Sequence, residues 1–179
     1  DRVLPPMSAH ASKKSEQFLK KLGVNVHCNT FVTNYDGKQV MTNSDLALQS
    51  ETLIWAAGVT GAPVAGISAE AIMERGDRYK VDRFNRIEGY NNIYALGDIA
   101  YMETDAFPKG HPQVAQPAIQ QGRLLGKNLM RQLQNKPMKA FTYNDKGSMA
   151  TIGRNKAVVD LKHVKFAGFF AWFVWMFIH

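Results

Sequence analysis

What the chain has little of narrows it first. A single cysteine, Cys28, stands among 179 residues; this excludes an internal disulfide framework, a cysteine-rich zinc module and a CxxC redox pair, and no metal is expected. Glycine (14) and proline (7) are too scarce for a disordered or collagen-like chain. No apolar run reaches the ~20 residues that a membrane-spanning helix needs. Acidic residues are missing altogether between Asp105 and Asp145.

What remains is an ordinary globular composition, 45% hydrophobic and 21% charged, in a length suited to one domain of roughly 100–200 residues. Lys and Arg number 22 against 15 Asp and Glu, a net charge of +7. An anionic partner is therefore expected: nucleic acid, a phosphate-bearing cofactor or an anionic membrane. The chain opens at Asp1 without a methionine or a signal-like apolar core, and closes directly after its most hydrophobic segment. It reads as a piece of a longer protein.

Ser8–Leu22 has helical spacing, with Phe18, Leu19 and Leu22 apolar and lysines opposite, and Gly23 stands where a C-terminal cap belongs. Val24–Val32 alternates, which predicts a half-buried strand with Val24, Val26 and Cys28 on one face and Cys28 an inert buried thiol. Asp36-Gly37 signals a hairpin turn into a strand around Lys38–Thr42. Thr52–Ala57 and Asn92–Leu96 are compact apolar runs, each followed by glycine, the form of strands covered on both faces. A short strand is expected at Tyr79–Asp82. Leu124, Leu125, Leu129 and Leu133 recur at helical spacing within an expected helix over Ala115–Leu133. Arg123, Lys127 and Arg131 form a basic stripe on it, either a solvated face or one that reads phosphate or lipid. Phe141–Tyr143, Met149–Ile152 and Ala157–Leu161 read as three short strands around Gly147 and Gly153, before a terminal helix. The fold class is α/β.

Tyr94-Ala95-Leu96-Gly97-Asp98 sets a carboxylate immediately after an apolar run and a glycine. In open α/β sheets ligands sit beyond the carboxyl ends of strands. Glycine admits close backbone approach, and an aspartate accepts hydrogen bonds from ligand hydroxyls. Gly-Asp also makes ordinary turns and helix caps, so alone it leaves both readings open. Leu53–Gly58 (LIWAAG) and Gly97-Asp98 together resemble the paired signatures of flavoproteins with two dinucleotide-binding domains. Ala115–Gly122 (AQPAIQQG) resembles the AQxAxQxG motif of type II NADH:quinone oxidoreductases, the non-proton-pumping respiratory NADH dehydrogenases. Tyr143–Gly153 and the apolar Phe166–Ile178 resemble that family's C-terminal region, so the likeness runs along the whole chain.

The resemblance implies a partial Rossmann-like flavoprotein with FAD as cofactor and NAD, as NADH, as substrate. It implies hydride transfer from NADH to FAD and then two-electron reduction of a membrane quinone. By the same resemblance Asp98 would bond the ribityl chain of FAD, with Gly97 and Ala95 admitting the backbone. Ala115 and Gln116 would lie against the isoalloxazine, Gln116 and Gln120 would line the quinone approach, and Ala57 and Gly58 would lie where the two nucleotides meet. Lys146 would point towards flavin and quinone, its charge favouring the anionic reduced ring. Catalytic roles thus fall to Gln116, Gln120 and Lys146. No GxGxxG loop occurs, so both pyrophosphate cradles of the family would precede Asp1. Residues 1–52 would be the later part of the NADH-binding domain, 53–135 the returning part of the FAD-binding domain and 136–179 a membrane-facing region. The fragment alone is not expected to catalyse.

Phe166–Ile178 holds 12 apolar residues of 13 and seven of the chain's 19 aromatics, with Lys162, His163 and Lys165 just before it. At about 20 Å of helix it falls short of the ~30 Å hydrocarbon core. Aromatics beside lysines fit a monotopic helix in the headgroup region, on the cytoplasmic face of the membrane. Exposed half-sheets pairing between chains make a homodimer possible. Two rivals are weighed. A sulfide:quinone-type flavoprotein needs redox cysteines and the chain has one; a non-catalytic membrane-binding module leaves the Gly-Asp and AQPAIQQG motifs unexplained. Nucleic acid is not expected as a partner, because the aromatics gather in the tail rather than among the basic residues.

Overall fold

A computed structural model describes residues 1–178. Two compact units divide the chain: the first is Asp1–Ala56 together with the stretch from Lys146 onward, the second Ala57–Asp145.

The first unit begins with helix α1, Ala9–Lys21. The Ser8 hydroxyl accepts from the Ala11 N–H at its start. At its end the Gly23 and Val24 N–H groups bond the Lys20 and Leu19 carbonyls, with Gly23 at φ +81°, a Schellman cap as the sequence predicts. A meander of β1 (Val32–Tyr35), β2 (Gln39–Thr42) and β3 (Ala47–Gln49) follows, antiparallel throughout. Its first turn is the expected one: the Asp36 carboxylate accepts from the Lys38 and Gln39 N–H groups at 2.8 and 2.7 Å, and Gly37 stands at φ +97°.

The same unit holds a second antiparallel sheet, β6 (Ser148–Thr151), β7 (Ala157–Asp160) and β8 (Lys165–Gly168), and then helix α3, Phe169–Ile178. Strand β7 is central and buried on both faces. Val158 packs with Met7 and Ala11 of the α1 side, while Ala157 and Val159 pack with Ala171 and Trp172 of α3. The period of two along the strand sends alternate residues to opposite layers. The Asp160 carboxylate, at the end of β7, accepts from the Ser8 N–H at 2.5 Å and so ties the start of α1 to the sheet.

The second unit has little regular structure: a two-residue parallel pair, β4 (Tyr79–Lys80) with β5 (Ala100–Tyr101), and helix α2, Ala115–Leu133, with the bounds expected from sequence. Its core gathers Tyr79, Val81, Ile87, Ala95, Ala100, Met102 and Phe141.

Four expected strands are corrected. Val24–Val32 is coil up to the start of β1, and Cys28 is exposed rather than buried. Thr52–Ala57 is extended but unpaired, with Ile54 84% and Trp55 64% exposed. An apolar β-former makes a strand only beside a neighbour that completes its ladder, and no described strand lies alongside it. Asn92–Leu96 makes one bridge, Tyr94 to Arg86, rather than a ladder. Phe141–Tyr143 is held by Arg83 instead of by a strand: the Phe141 N–H donates to the Arg83 carbonyl at 2.7 Å, and the Arg83 Nε donates back to the Phe141 carbonyl at 2.9 Å. The third strand of the C-terminal sheet is instead β8, which takes Phe166–Gly168 from the expected terminal helix. No helix of the described residues is long and apolar enough to cross a membrane.

Candidate functional site

The second unit arranges the Gly-Asp motif through polar side chains. Buried Asn85 (1% exposed) donates from Nδ2 to the Ala95 carbonyl at 3.0 Å, and its own carbonyl accepts from the Ala95 N–H at 2.9 Å. That clamp holds the extended residues leading into a single 3-10 turn, Gly97–Ile99. Gly97 stands at φ +72°, and a Cβ there would lie 3.1 Å from the Ala118 Cβ, so both conformation and space call for glycine. Gln121 (1% exposed) accepts from the Gly97 N–H at 2.7 Å through Oε1, and Gln113 Nε2 donates to the Asp98 carbonyl at 3.2 Å. The backbone of the turn is thus fastened while the Asp98 side chain faces solvent. Its carboxylate takes no hydrogen bond from any other described residue.

Helix α2 begins beside this turn. Its N-cap, Val114, supplies no side-chain cap, and its first turn holds no acid, so the leading N–H groups keep their partial positive charge. Ala115 opens the helix, exposed, and Gln116 follows half-buried with its amide unengaged by the described residues. Gln120 is committed: Nε2 donates to the Asn144 carbonyl at 2.9 Å, and Oε1 accepts from the Asn144 N–H at 3.0 Å.

The structure therefore brings Ala95, Gly97 and Asp98 together with the first turns of α2. Ala57 and Gly58 open the same unit as exposed chain, Gly58 at φ +85° with open space around it. Lys146 is exposed and belongs to the first unit, next to Gly147, whose φ of +88° and 2.5 Å approach to the Asp160 carbonyl leave no room for a Cβ.

The sequence shows Gln121 only as part of the AQPAIQQG motif and gives no sign of Asn85, Arg78 or His111. Buried Arg78 donates from Nη2 to the Ala100 carbonyl at 2.5 Å and lies over the Tyr101 ring. His111 (3% exposed) faces the Met102 carbonyl with Nδ1 at 3.1 Å and packs among Phe107, Phe141 and Tyr143. Burial pushes the His111 pKa below its usual value, and the nearby Arg83 and Arg78 add to this against the pull of the Met102 carbonyl. The ring is neutral at pH 7, Nδ1–H donating and Nε2 left bare. Burial likewise lowers the Arg78 pKa, opposed by the Asp98 carboxylate. No local signal marks them: Arg78, Asn85 and His111 stand among other charged and polar residues in stretches that read as exposed loops.

The family model described as pyridine nucleotide-disulphide oxidoreductase matches residues 1–122. The type II NADH:quinone oxidoreductase Ndh of Mycobacterium tuberculosis is 34% identical over 187 residues, covering 99% of this chain. The chain spans only 39% of that relative's length. Among solved structures, NDH2 of Plasmodium falciparum in complex with NADH aligns with a TM-score of 0.83 at 20% identity, over 99% of this chain and 51% of that one. The sulfide:quinone oxidoreductase of Aquifex aeolicus aligns with a TM-score of 0.72 at 14% identity, over 94% and 43%. The α/β fold is thus shared with these solved structures, over part of their length.

Proposed function

The chain belongs to the pyridine nucleotide-disulphide oxidoreductase family, and from that premise we propose that it is the C-terminal portion of a type II NADH:quinone oxidoreductase, passing a hydride from NADH to FAD and two electrons on to a membrane quinone. The single observation that carries this reading is the Gly97–Asp98 turn: glycine required twice over, backbone fastened by Gln121 and Gln113, carboxylate left outward for a ligand hydroxyl.

These residues fit a flavin. The Asp98 carboxylate would accept from a ribityl hydroxyl, and Gly97 would offer backbone without a side chain in the way. Ala115 and the uncapped start of α2 would offer small bulk and partial positive charge to the flavin. FAD, when bound, supplies the two-electron chemistry. Gln116, with its amide unengaged, both donates to a quinone carbonyl and accepts from the hydroxyl it becomes. Gln120 acts through its clamp on Asn144, which fixes the chain entering Lys146. Lys146 would supply a positive charge that favours reduced flavin, and Ala57 and Gly58 would serve where the two nucleotides meet. Residues 1–52 serve the NADH-binding domain, 53–135 the FAD-binding domain and 136–179 the membrane side.

Helix α3 supports the membrane seat. Phe169, Phe170, Phe173, Met176 and Phe177 are exposed, and at 100° per residue they share one arc of about 120° with no polar side chain in it. Such an arc needs lipid or protein over it, and its aromatics beside Lys162, His163 and Lys165 favour an interfacial helix. We place the protein peripherally on the cytoplasmic face, with a homodimer as a further assembly.

An anaerobic titration of the membrane-extracted protein that carries this chain tests the reading. NADH bleaches the flavin bands and a soluble quinone analogue restores them. Flavin bands that ignore NADH and bleach with sulfide would transfer the protein to the sulfide:quinone oxidoreductases; absence of flavin would end the enzyme reading.

A further inference from the structure

The basic stripe of α2 is not used by the flavin reading. In the second unit it borders a recess of about 420 Å³ lined by Leu124, Lys127, Asn128, Met130, Arg131 and Lys139. The recess walls are fixed by hydrogen bonds. Asn128, 1% exposed, exchanges two 2.8 Å bonds with the Lys139 backbone, and Arg131 Nε donates to the Pro137 carbonyl at 2.6 Å. The Lys136 N–H returns to the Arg131 carbonyl at 2.8 Å. Three cationic residues thus line one apolar hollow, Arg131 with its guanidinium tethered and Lys127 and Lys139 with exposed side chains. No carboxylate lines it, and none of the three forms an ion pair with any described residue.

Like charges lining one recess repel, and an anion relieves that repulsion. Arginine offers a planar fork and lysine a point charge, the pair of donors that suits a phosphate. The volume lies within the range of small-molecule pockets, and the Leu124 and Met130 side chains suit an apolar stem rather than a fully hydrated ion.

We propose that this recess binds the phosphate headgroup of an anionic phospholipid, held by Lys127, Arg131 and Lys139 with its glycerol and acyl stem against Leu124 and Met130. The proposal stands independently of the flavin chemistry and uses none of its residues.

The test titrates the whole protein that carries this chain, followed by TROSY amide NMR, with dihexanoylphosphatidylglycerol below its micelle concentration. Dihexanoylphosphatidylcholine and inorganic phosphate are the comparisons. The expected result is saturable shifts across residues 124–139 with the glycerol lipid, and binding of the other two at least about tenfold weaker. The variant Lys127→Gln with Lys139→Gln should bind the glycerol lipid about tenfold or more weakly at unchanged Tm, since both side chains are solvent-exposed. Equal binding of the choline and glycerol lipids would overturn the proposal. So would inorganic phosphate binding as tightly as the lipid, which would make this a free-phosphate site, or a double variant that binds like the parent chain.

Discussion

The two units solve the same problem in opposite ways. In the first, regular strands bury apolar side chains: β7 is covered by α1 on one face and α3 on the other, through Val158, Ala157 and Val159. In the second, two strands of two residues and one long helix leave most of the backbone without a ladder. Buried polar side chains take the ladder's place. Asn85 holds Ala95, Gln121 holds Gly97, Asn128 holds Lys139 and Arg78 holds Ala100. A ladder fixes a repeating surface, whereas a side-chain clamp fixes a single irregular loop. The unit built from clamps is the one that leaves the Asp98 carboxylate facing solvent at the end of a fastened turn.

Substitutions sharpen this contrast. Gly147→Ala should do the most damage, because it forces a Cβ against the Asp160 carbonyl at the end of β7 at a φ of +88°; a loss of about 3 kcal/mol or more is expected in chemical denaturation. Asn85→Ala should follow, leaving the buried Ala95 carbonyl without its side-chain donor and placing alanine at φ +66°. About 2 kcal/mol is expected, with hydrogen exchange rising across residues 84–99 and unchanged in β7. If exchange rises equally in β7, the two units are not independently stabilised. Phe170→Ser with Phe177→Ser alters only exposed side chains. It should leave the melting temperature in place while vesicle binding falls about tenfold or more; unchanged binding in sedimentation would remove α3 from the membrane account.

Acid should separate the units most gently. The His111 pKa is lowered in the fold chiefly by burial, so the unfolded chain takes up its proton first, near the ordinary value of about 6.5. Stability from this group is full above that pH and is lost as pH falls through the folded value. Asp160 is also lowered: burial works against its ionisation, but bonds from Ser8 and the Lys165 charge outweigh it. Its contribution is full above the ordinary value near 3.8 and fades only below it. Between pH 7 and 5, amide exchange should rise in residues 100–111 before it rises in β7, and His111→Gln should flatten that rise. Identical profiles in both regions would contradict the assignment.

The same contrast decides what could be read from sequence. Helices α1 and α2 were legible because their apolar spacing, caps and length are local properties, and the Asp36-Gly37 turn because its side-chain bonds span three residues. Thr52–Ala57 misled because strand formation depends on a partner that no local pattern reports. Phe141–Tyr143 misled for the converse reason: a buried apolar residue held by Arg83, 58 positions away, looks like a strand. Gly97 and Asp98 were singled out by their order in the chain, but the clamps that hold them were not legible. Gln121 looks like an exposed helix glutamine until the turn it meets is known.

The central claim is that the clamped Gly97–Asp98 turn is the flavin seat. It is tested most directly by the flavin absorbance retained per protein after purification, in Asp98→Ala and Gln121→Ala beside the parent and Gln120→Ala. The account predicts that Asp98→Ala and Gln121→Ala lose most of their flavin, whereas Gln120→Ala keeps it and slows only the return of colour with quinone. Full flavin content in Asp98→Ala would contradict it.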